Sequence, residues 1–428
     1  MVKVSERQLL RRALSRRFKR AVQFSESSDE EEFAAQRAAL DSSRYLARPL
    51  PIQRQHSDED LQKLLEQPLR FFRQQTRCSQ PAFLRLLDQI WDDPSFHNLS
   101  HFQQRHSGLQ LYAYLCCMGH DGTGLCNISI AGQRQMGEGT VSLYVSRVAA
   151  AIIKLHPKYV KWPGPEARKI MSARFLLKYG FYSFGILDGT FVYFNQAPAI
   201  DPHNFFTRKK KSYGLNCQLI CDLDWTIIGY VLGWPGCTPD TQAYETSDFF
   251  TESDRFFAAG ECLLADKGYT PRLTICVPYN ENELVDGLDS TADQKNDYNN
   301  GLKKGRLLIE RVNAMLKNRF QWLKGMRFQV KKVEDFAKCN ELIKALIIVH
   351  NFMMSSSIRD VWSDVRTPAC DAWKDDLSKE QGRIARSLAT ATAALKLSQR
   401  EHELFMRMVR VQQFTTWHEQ VLTNSFFA

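Results

Sequence analysis

Three β-rich runs follow one another closely in the middle of this chain, and they limit the fold more than any other feature. They are FGILDGTFVYF over residues 184–194, GLNCQLICD over 214–222 and TIIGYVLG over 226–233. Asp222, Leu223, Asp224 and Trp225 read as a hairpin turn between the last two. Two shorter apolar runs, ECLLAD over 261–266 and TICV over 274–277, read as further strands. Residues 281–300 read as a polar loop, and helices are predicted over 303–320 and 333–354. Adjacent strands followed by strands interleaved with helices predict a mixed α/β sheet.

The preceding hundred or so residues have helical periodicity instead. Asp58 reads as the cap of a helix through Leu61, Leu64 and Leu65, and Leu84, Leu86, Leu87, Ile90 and Trp91 recur at helical spacing. Leu109, Leu111, Tyr112, Leu115 and Met118 form one apolar helix, followed by a glycine-rich break over 119–124. A short helix over 128–136, a turn at Gly137 and a longer helix capped by Thr140 come next. This is the outline of a helix-turn-helix, which a small helical domain of any function also shows. Arg134, Arg147 and Lys154 are either phosphate contacts or solvated charges. The stretch VKWPGP over 160–165 reads as a domain boundary. The reading is therefore a tail over 1–56, a helical, helix-turn-helix-like DNA-binding region over 57–165, an α/β domain over 166–354 and a polar, partly helical tail over 355–428.

The chain has 428 residues and a formal net charge of +10, which favours a polyanionic partner. The first twenty residues hold eight Lys or Arg against one acid, Glu6, and SESSDEEE over 25–32 then reverses the sign. This composition reads as a disordered, solvated tail. Its basic start suits nuclear import or a nucleic-acid arm, with a mitochondrial presequence as the alternative. No apolar run approaches the roughly 18 residues that a membrane-spanning helix needs, so no membrane partner is expected. The eleven cysteines form no CxxC pair, which points to reduced thiols. Cys217 and Cys221 fall on one face of a strand and read as packing.

Three acids stand out. Asp188 lies inside the first β-rich run and Asp266 ends a short buried-type strand. Glu310 is the single acid among ten Lys or Arg between Lys303 and Lys332. A carboxylate beside buried strands is unfavourable unless paired, protonated or bound to metal. Two or three carboxylates can hold a pair of divalent ions about 4 Å apart for phosphodiester cleavage. One ion then activates water or a 3′-hydroxyl, the other steadies the leaving oxygen, and the lysines and arginines neutralise phosphates. The plainer alternatives are two strand-end turns and a Glu310 paired with Arg306 or Arg311 on an exposed helix.

DGTFVYF, FFTRKKKSYGLNCQLICD, WPG with Asp240, LADKGYT and YN…RLLIERVNAMLKNRF together resemble the nuclease domain of PIF/Harbinger-type transposases. GTVSLYVSRV, YVKWP and IIVHNF resemble its flanks, so the likeness runs from about residue 105 to 354. The resemblance implies an RNase H-like fold, a mixed sheet flanked by helices. It also implies a DDE site of Asp188, Asp266 and Glu310 that binds Mg²⁺ or Mn²⁺, with two ions expected. The chain departs from the family pattern with Ala265 for a glycine, Ile309 before the glutamate, Pro239 for a histidine and Leu302 near another histidine position. Asp240 either assists the site or caps a turn.

The expected function is a metal-dependent DNA endonuclease or transposase acting on double-stranded DNA in the nucleus. The alternatives are a domesticated, non-catalytic DNA-binding protein and an RNA-processing nuclease. Arg208, Lys209, Lys210, Lys211, Lys303, Lys304, Arg306, Arg311 and Lys317 are the expected nucleic-acid contacts. The resemblance also implies a Myb-like accessory protein, and a homo-oligomer is a further possible partner.

Overall fold

The computed structural model describes residues 6–24, 27–42, 57–97, 104–121, 130, 136–180, 182–207, 210–286, 290–355 and 360. The chain divides into two compact units, 1–54 and 55–428.

The first unit contains helices α1 (Glu6–Phe24) and α2 (Ser27–Ser42), joined by an Arg11–Asp41 ion pair at 3.2 Å. These helices occupy residues that the sequence reading assigns to the tail over 1–56. In α2 the alanines at 34, 35, 38 and 39 favour helix.

The second unit begins with helices α3 (Ser57–Leu65), α4 (Leu69–Thr76), α5 (Gln80–Ile90), α6 (Ser107–Gly119) and α7 (Glu138–Ile153). The cap of α7 is Gly137, and Thr140 lies inside the helix. The short helix expected over 128–136, and with it the helix-turn-helix, falls largely outside the described residues. So does most of the tail beyond residue 355. A further helix, α8 (Pro165–Tyr179), follows the proline-rich stretch, so the helical region continues past 165.

The sheet then forms from β1 (Gly185–Tyr193), β2 (Phe206–Thr207), β3 (Ser212–Cys221), β4 (Ile227–Pro235), β5 (Leu263–Leu264) and β6 (Ile275–Cys276). β1 pairs antiparallel with β3 and parallel with β5, β3 pairs antiparallel with β2 and β4, and β5 pairs parallel with β6. This is a mixed sheet with the RNase H-like pattern, preceded by an all-helical region. β2 was not foreseen, because two residues carry no alternation signal.

Side chains alternate across a strand, so each face of the sheet has its own core. Ile186, Val192, Leu215, Leu219 and Cys221 pack on the face covered by α10 (Ala292–Arg319) and α11 (Val333–Met354). Leu187, Ile220, Leu263 and Ala265 pack on the other, with Tyr244 of α9 (Asp240–Glu245). Cys217 joins the first core, consistent with packing, and burial pushes its thiol up to about 12.

The polar loop expected over 281–300 is corrected at its second half, since α10 begins at Ala292. Thr291 Oγ1 accepts from the Gln294 backbone N–H at 3.3 Å, and Gln294 Oε1 accepts from that of Thr291 at 2.9 Å. That capping box starts the helix despite its polar first turns. Among the described residues no helix is long and apolar enough to cross a membrane.

Candidate active site

The parallel register between β1 and β5 determines where two of the acids lie. Gly185 is paired with Leu263, and Asp188 and Asp266 each stand three residues beyond one member of that pair. Ile186 and its partner Leu264 both pack into the core on the α10 side. Alternation therefore turns Asp188 and Asp266 toward α10 as well. β5 ends two residues before Asp266, which leaves its carboxylate at the strand mouth. There Asp266 Oδ1 accepts from the Gly268 N–H at 2.8 Å.

Helix α10 supplies the third acid. Arg306, Glu310, Asn313 and Lys317 recur at spacings of four, three and four, which puts them on one helix stripe. That stripe faces β1. Asn313 Nδ2 donates to Asp188 Oδ2 at 3.1 Å, and Lys317 Nζ donates to the Phe191 carbonyl at 2.8 Å. One guanidinium nitrogen of Arg306, Nη2, lies 4.0 Å from Asp188 Oδ1, 3.7 Å from Asp266 Oδ2 and 3.7 Å from Glu310 Oε1. The three acids therefore converge on one point. Their exposure rises from 16% for the Asp188 side chain to 30% for Asp266 and 54% for Glu310, so the group opens outward along the helix.

The electrostatics record this crowding. Burial pushes the Asp188 carboxyl up to about 7; the Arg306 cation pulls the other way, while Asp266, Asp240 and Glu310 add to the rise. Burial pushes Lys317 down to about 8, with Cys217 opposing and Lys210 adding to the fall.

Asp240 approaches from the opposite face of β1. Its Oδ1 accepts from Asn216 Nδ2 at 2.8 Å, and its carbonyl accepts from Gln218 Nε2 at 2.5 Å. A Cβ on Gly189 would lie 2.4 Å from that Oδ1, so the residue after Asp188 must be glycine for Asp240 to sit there. Nearby, the Tyr269 ring is buried and its hydroxyl has no hydrogen-bond partner. That hydroxyl is held well above its ordinary value by burial, then by Asp240, Asp188 and Asp266.

The expected nucleic-acid contacts are distributed unevenly. Lys303, Lys304 and Arg311 are exposed on α10, and Lys210 and Lys211 are exposed in the turn before β3. Arg208 and Lys209 lie outside the described residues. Arg306 is turned into the acid group, and Lys317 is half-buried against β1. Leu302, near a histidine position of the resembled family, is fully buried in the core. The reading of residue types did not single out Asn313 and Tyr269. Asn313 was detectable as the position one helix turn after Glu310 on the same stripe.

Divalent ions fit this donor set in kind. The donors are hard carboxylate oxygens, all three directed at one cation, and one of them is short of compensating charge. Among the described residues, however, no three His, Cys, Asp or Glu side chains stand close enough to hold a metal ion as they are. The Arg306 guanidinium lies between them.

A central strand, its parallel neighbour and a following helix thus bring three acids to one cation. Residues 187–351 match the family model described as DDE superfamily endonuclease. Among curated proteins the chain is distantly related to "Putative nuclease HARBI1". It is 23% identical to the Homo sapiens protein over 239 residues, 54% of this chain and 63% of that one. It is 24% identical to the Mus musculus protein over 267 residues, 59% of this chain and 71% of that one. The match thus spans a little under two thirds of the human relative's length. No solved structure matches the chain.

Proposed function

We propose that this chain is a metal-dependent DNA endonuclease of the transposase type, with Asp188, Asp266 and Glu310 as its metal-holding acids. One observation carries the reading: a single Arg306 nitrogen lies within 4.0 Å of an oxygen from each acid, although the acids come from three separate elements. Mg²⁺ or Mn²⁺ held there supplies Lewis-acid polarisation of the phosphate and an activated water or 3′-hydroxyl. The chain's own groups orient the site. Asn313 fixes the Asp188 carboxylate by hydrogen bonding, and the Gly268 N–H fixes that of Asp266. Exposed Lys210, Lys211, Lys303, Lys304 and Arg311 offer cations to a DNA backbone.

Double-stranded DNA as substrate, a Myb-like accessory protein, self-association and a nuclear location belong to the same proposal. The first rests on the family and the charge, the accessory protein on the resemblance alone. The nuclear location rests on the basic first twenty residues.

The test is Glu310→Gln. In Mg²⁺ or Mn²⁺ the variant is expected to lose duplex nicking by a factor of roughly 10² or more, in line with removal of a group used in the chemical step. It should still bind DNA. Wild-type cleavage by the variant overturns the assignment. A second reading, a non-catalytic DNA-binding protein, is favoured by the guanidinium lying within the acid group. Binding without nicking by the wild-type chain, in either metal, decides for it.

A further inference from the structure

Arginines that brace this structure grip their partners closely. Arg174 holds Asp224 with two bonds of 2.7 and 2.8 Å, and Arg168 meets Glu261 at 2.5 Å. These are the short, charge-assisted contacts expected of anchored guanidinium groups. Arg306 differs. Its approaches to Asp188, Asp266 and Glu310 are 4.0, 3.7 and 3.7 Å, all too long for hydrogen bonds. Its Nε is buried and has no hydrogen-bond partner, which is equally true of the Nε of Arg272, an arginine held to Glu245 at 2.6 Å, so the distinction rests on the three long approaches. Charge places this side chain among three carboxylates, and no hydrogen bond to them fixes it. It stands four residues before Glu310, so rotation about its own side-chain bonds can carry it off the acids along the exposed side of α10.

We propose that Arg306 is the resident counter-ion of the acid pocket, a displaceable guanidinium that a divalent metal must evict to bind. The inference rests on the nuclease reading and adds to it a residue that governs metal loading. In the metal-free chain Arg306 offsets part of the repulsion among Asp188, Asp266 and Glu310. It cannot offset all of it: one positive charge faces three acids, with Asp240 contributing from the far side of β1. A divalent ion brings twice the charge and prefers oxygen donors, so it competes for the same point. The evicted guanidinium then lies beside exposed Lys303 and Lys304, free to meet a phosphate oxygen with its planar fork.

The test is a Mn²⁺ titration of the full chain, followed by electron paramagnetic resonance of the free ion. The chains compared are wild type, Arg306→Gln, Arg306→Lys and Glu310→Gln, each checked for folding by circular dichroism. Removing the charge should lower the Mn²⁺ midpoint about tenfold, a modest effect for one unit charge at this range. Arg306→Lys keeps the charge and should stay within about threefold of wild type, and Glu310→Gln should weaken binding. Equal or weaker Mn²⁺ binding by a folded Arg306→Gln overturns the role of Arg306. If wild-type binding is still sensitive to Glu310→Gln in that case, the metal site itself stands. Absence of any saturable, Glu310-dependent binding removes both readings. One measurement does not depend on the glutamine variant folding: the ¹⁵N signal of Arg306 Nε–H in the wild type, assigned by its loss in Arg306→Lys. It should shift as Mg²⁺ saturates, and a signal that does not move refutes eviction.

Discussion

Asp188 carries the highest electrostatic load in the candidate site. An aspartate whose folded pKa stands near 7, against 3.8 for the free group, binds more protons when folded than when unfolded. Stability then falls as pH rises through that window; the penalty is absent below 3.8 and complete above 7. The side chain is only 16% exposed, so little solvent screening reduces the effect. Asp188→Asn should therefore stabilise the metal-free chain. The gain should grow by an amount on the order of 2–4 kcal/mol between pH 4.5 and 8. Urea unfolding in chelator at several pH values measures it. A stability difference that does not change with pH would mean that Asp188 is not short of charge compensation. The sign matters for function, because a carboxylate that destabilises the empty protein is relieved when a cation arrives.

Among the elements, β5 and the segment leading into it bear most on where Asp266 sits. β5 is only two residues long, too short to hold a carboxylate in place by its own ladder. The neighbouring Arg168–Glu261 pair compensates. Arg168 on α8 reaches Glu261, two residues before β5, with both side chains 6% exposed. Its Nη1 donates to the Pro163 carbonyl at 2.7 Å, and Glu261 Oε2 accepts from the Ala258 N–H at 2.8 Å. Removing Arg168 leaves a buried, unpaired carboxylate. Arg168→Ala is expected to destabilise by about 3–5 kcal/mol, whereas Arg168→Met with Glu261→Met recovers much of that. Denaturant midpoints of the single and double variants check this, and additive losses would contradict the pairing. The same elements show what the sequence could reveal. β1, β3 and β4 were legible because alternating apolar residues are interrupted only by turn residues. The start of α10 was hidden by its polar composition, although Thr291 and Gln294 spell the capping box that opens it. The acids could be named from their types and from the family resemblance. Their convergence could not, because it depends on the β1–β5 register, which no local pattern encodes. The role of Arg306 was divided in the sequence between DNA contact and partner of Glu310, and the geometry adds both aspartates to its partners.

For the second unit as a whole, the helical region over 57–165 and the sheet domain share one core. Every residue of α6 is buried. Leu64, Phe72, Phe83, Leu111, Tyr114, Val141 and Val148 belong to the same hydrophobic cluster as Ile309, Val312 and Leu316 of α10 and Ile343, Leu346 and Ile347 of α11. A fully buried arginine reinforces the join: Arg319, the last residue of α10, donates from Nη1 to the Arg77 carbonyl at 2.8 Å and from Nη2 to that of Asp360. Asp360 in turn accepts from the Ser79 N–H at 2.6 Å. A helical region that merely adjoined the sheet domain would leave a polar seam between them. Instead the helix bearing Glu310 takes part of its packing from the helical region. A chain cut to 166–354 retains all three acids but bares the faces that α6 and α7 cover. Exposing about ten large apolar side chains forfeits roughly 15–30 kcal/mol, more than the ~5–15 kcal/mol that typically holds a domain together. Such a chain should be insoluble, or show no cooperative thermal transition in calorimetry. A soluble 166–354 that unfolds in one sharp transition would instead establish the sheet domain as a self-standing folding unit, and would make the shared core a docking surface.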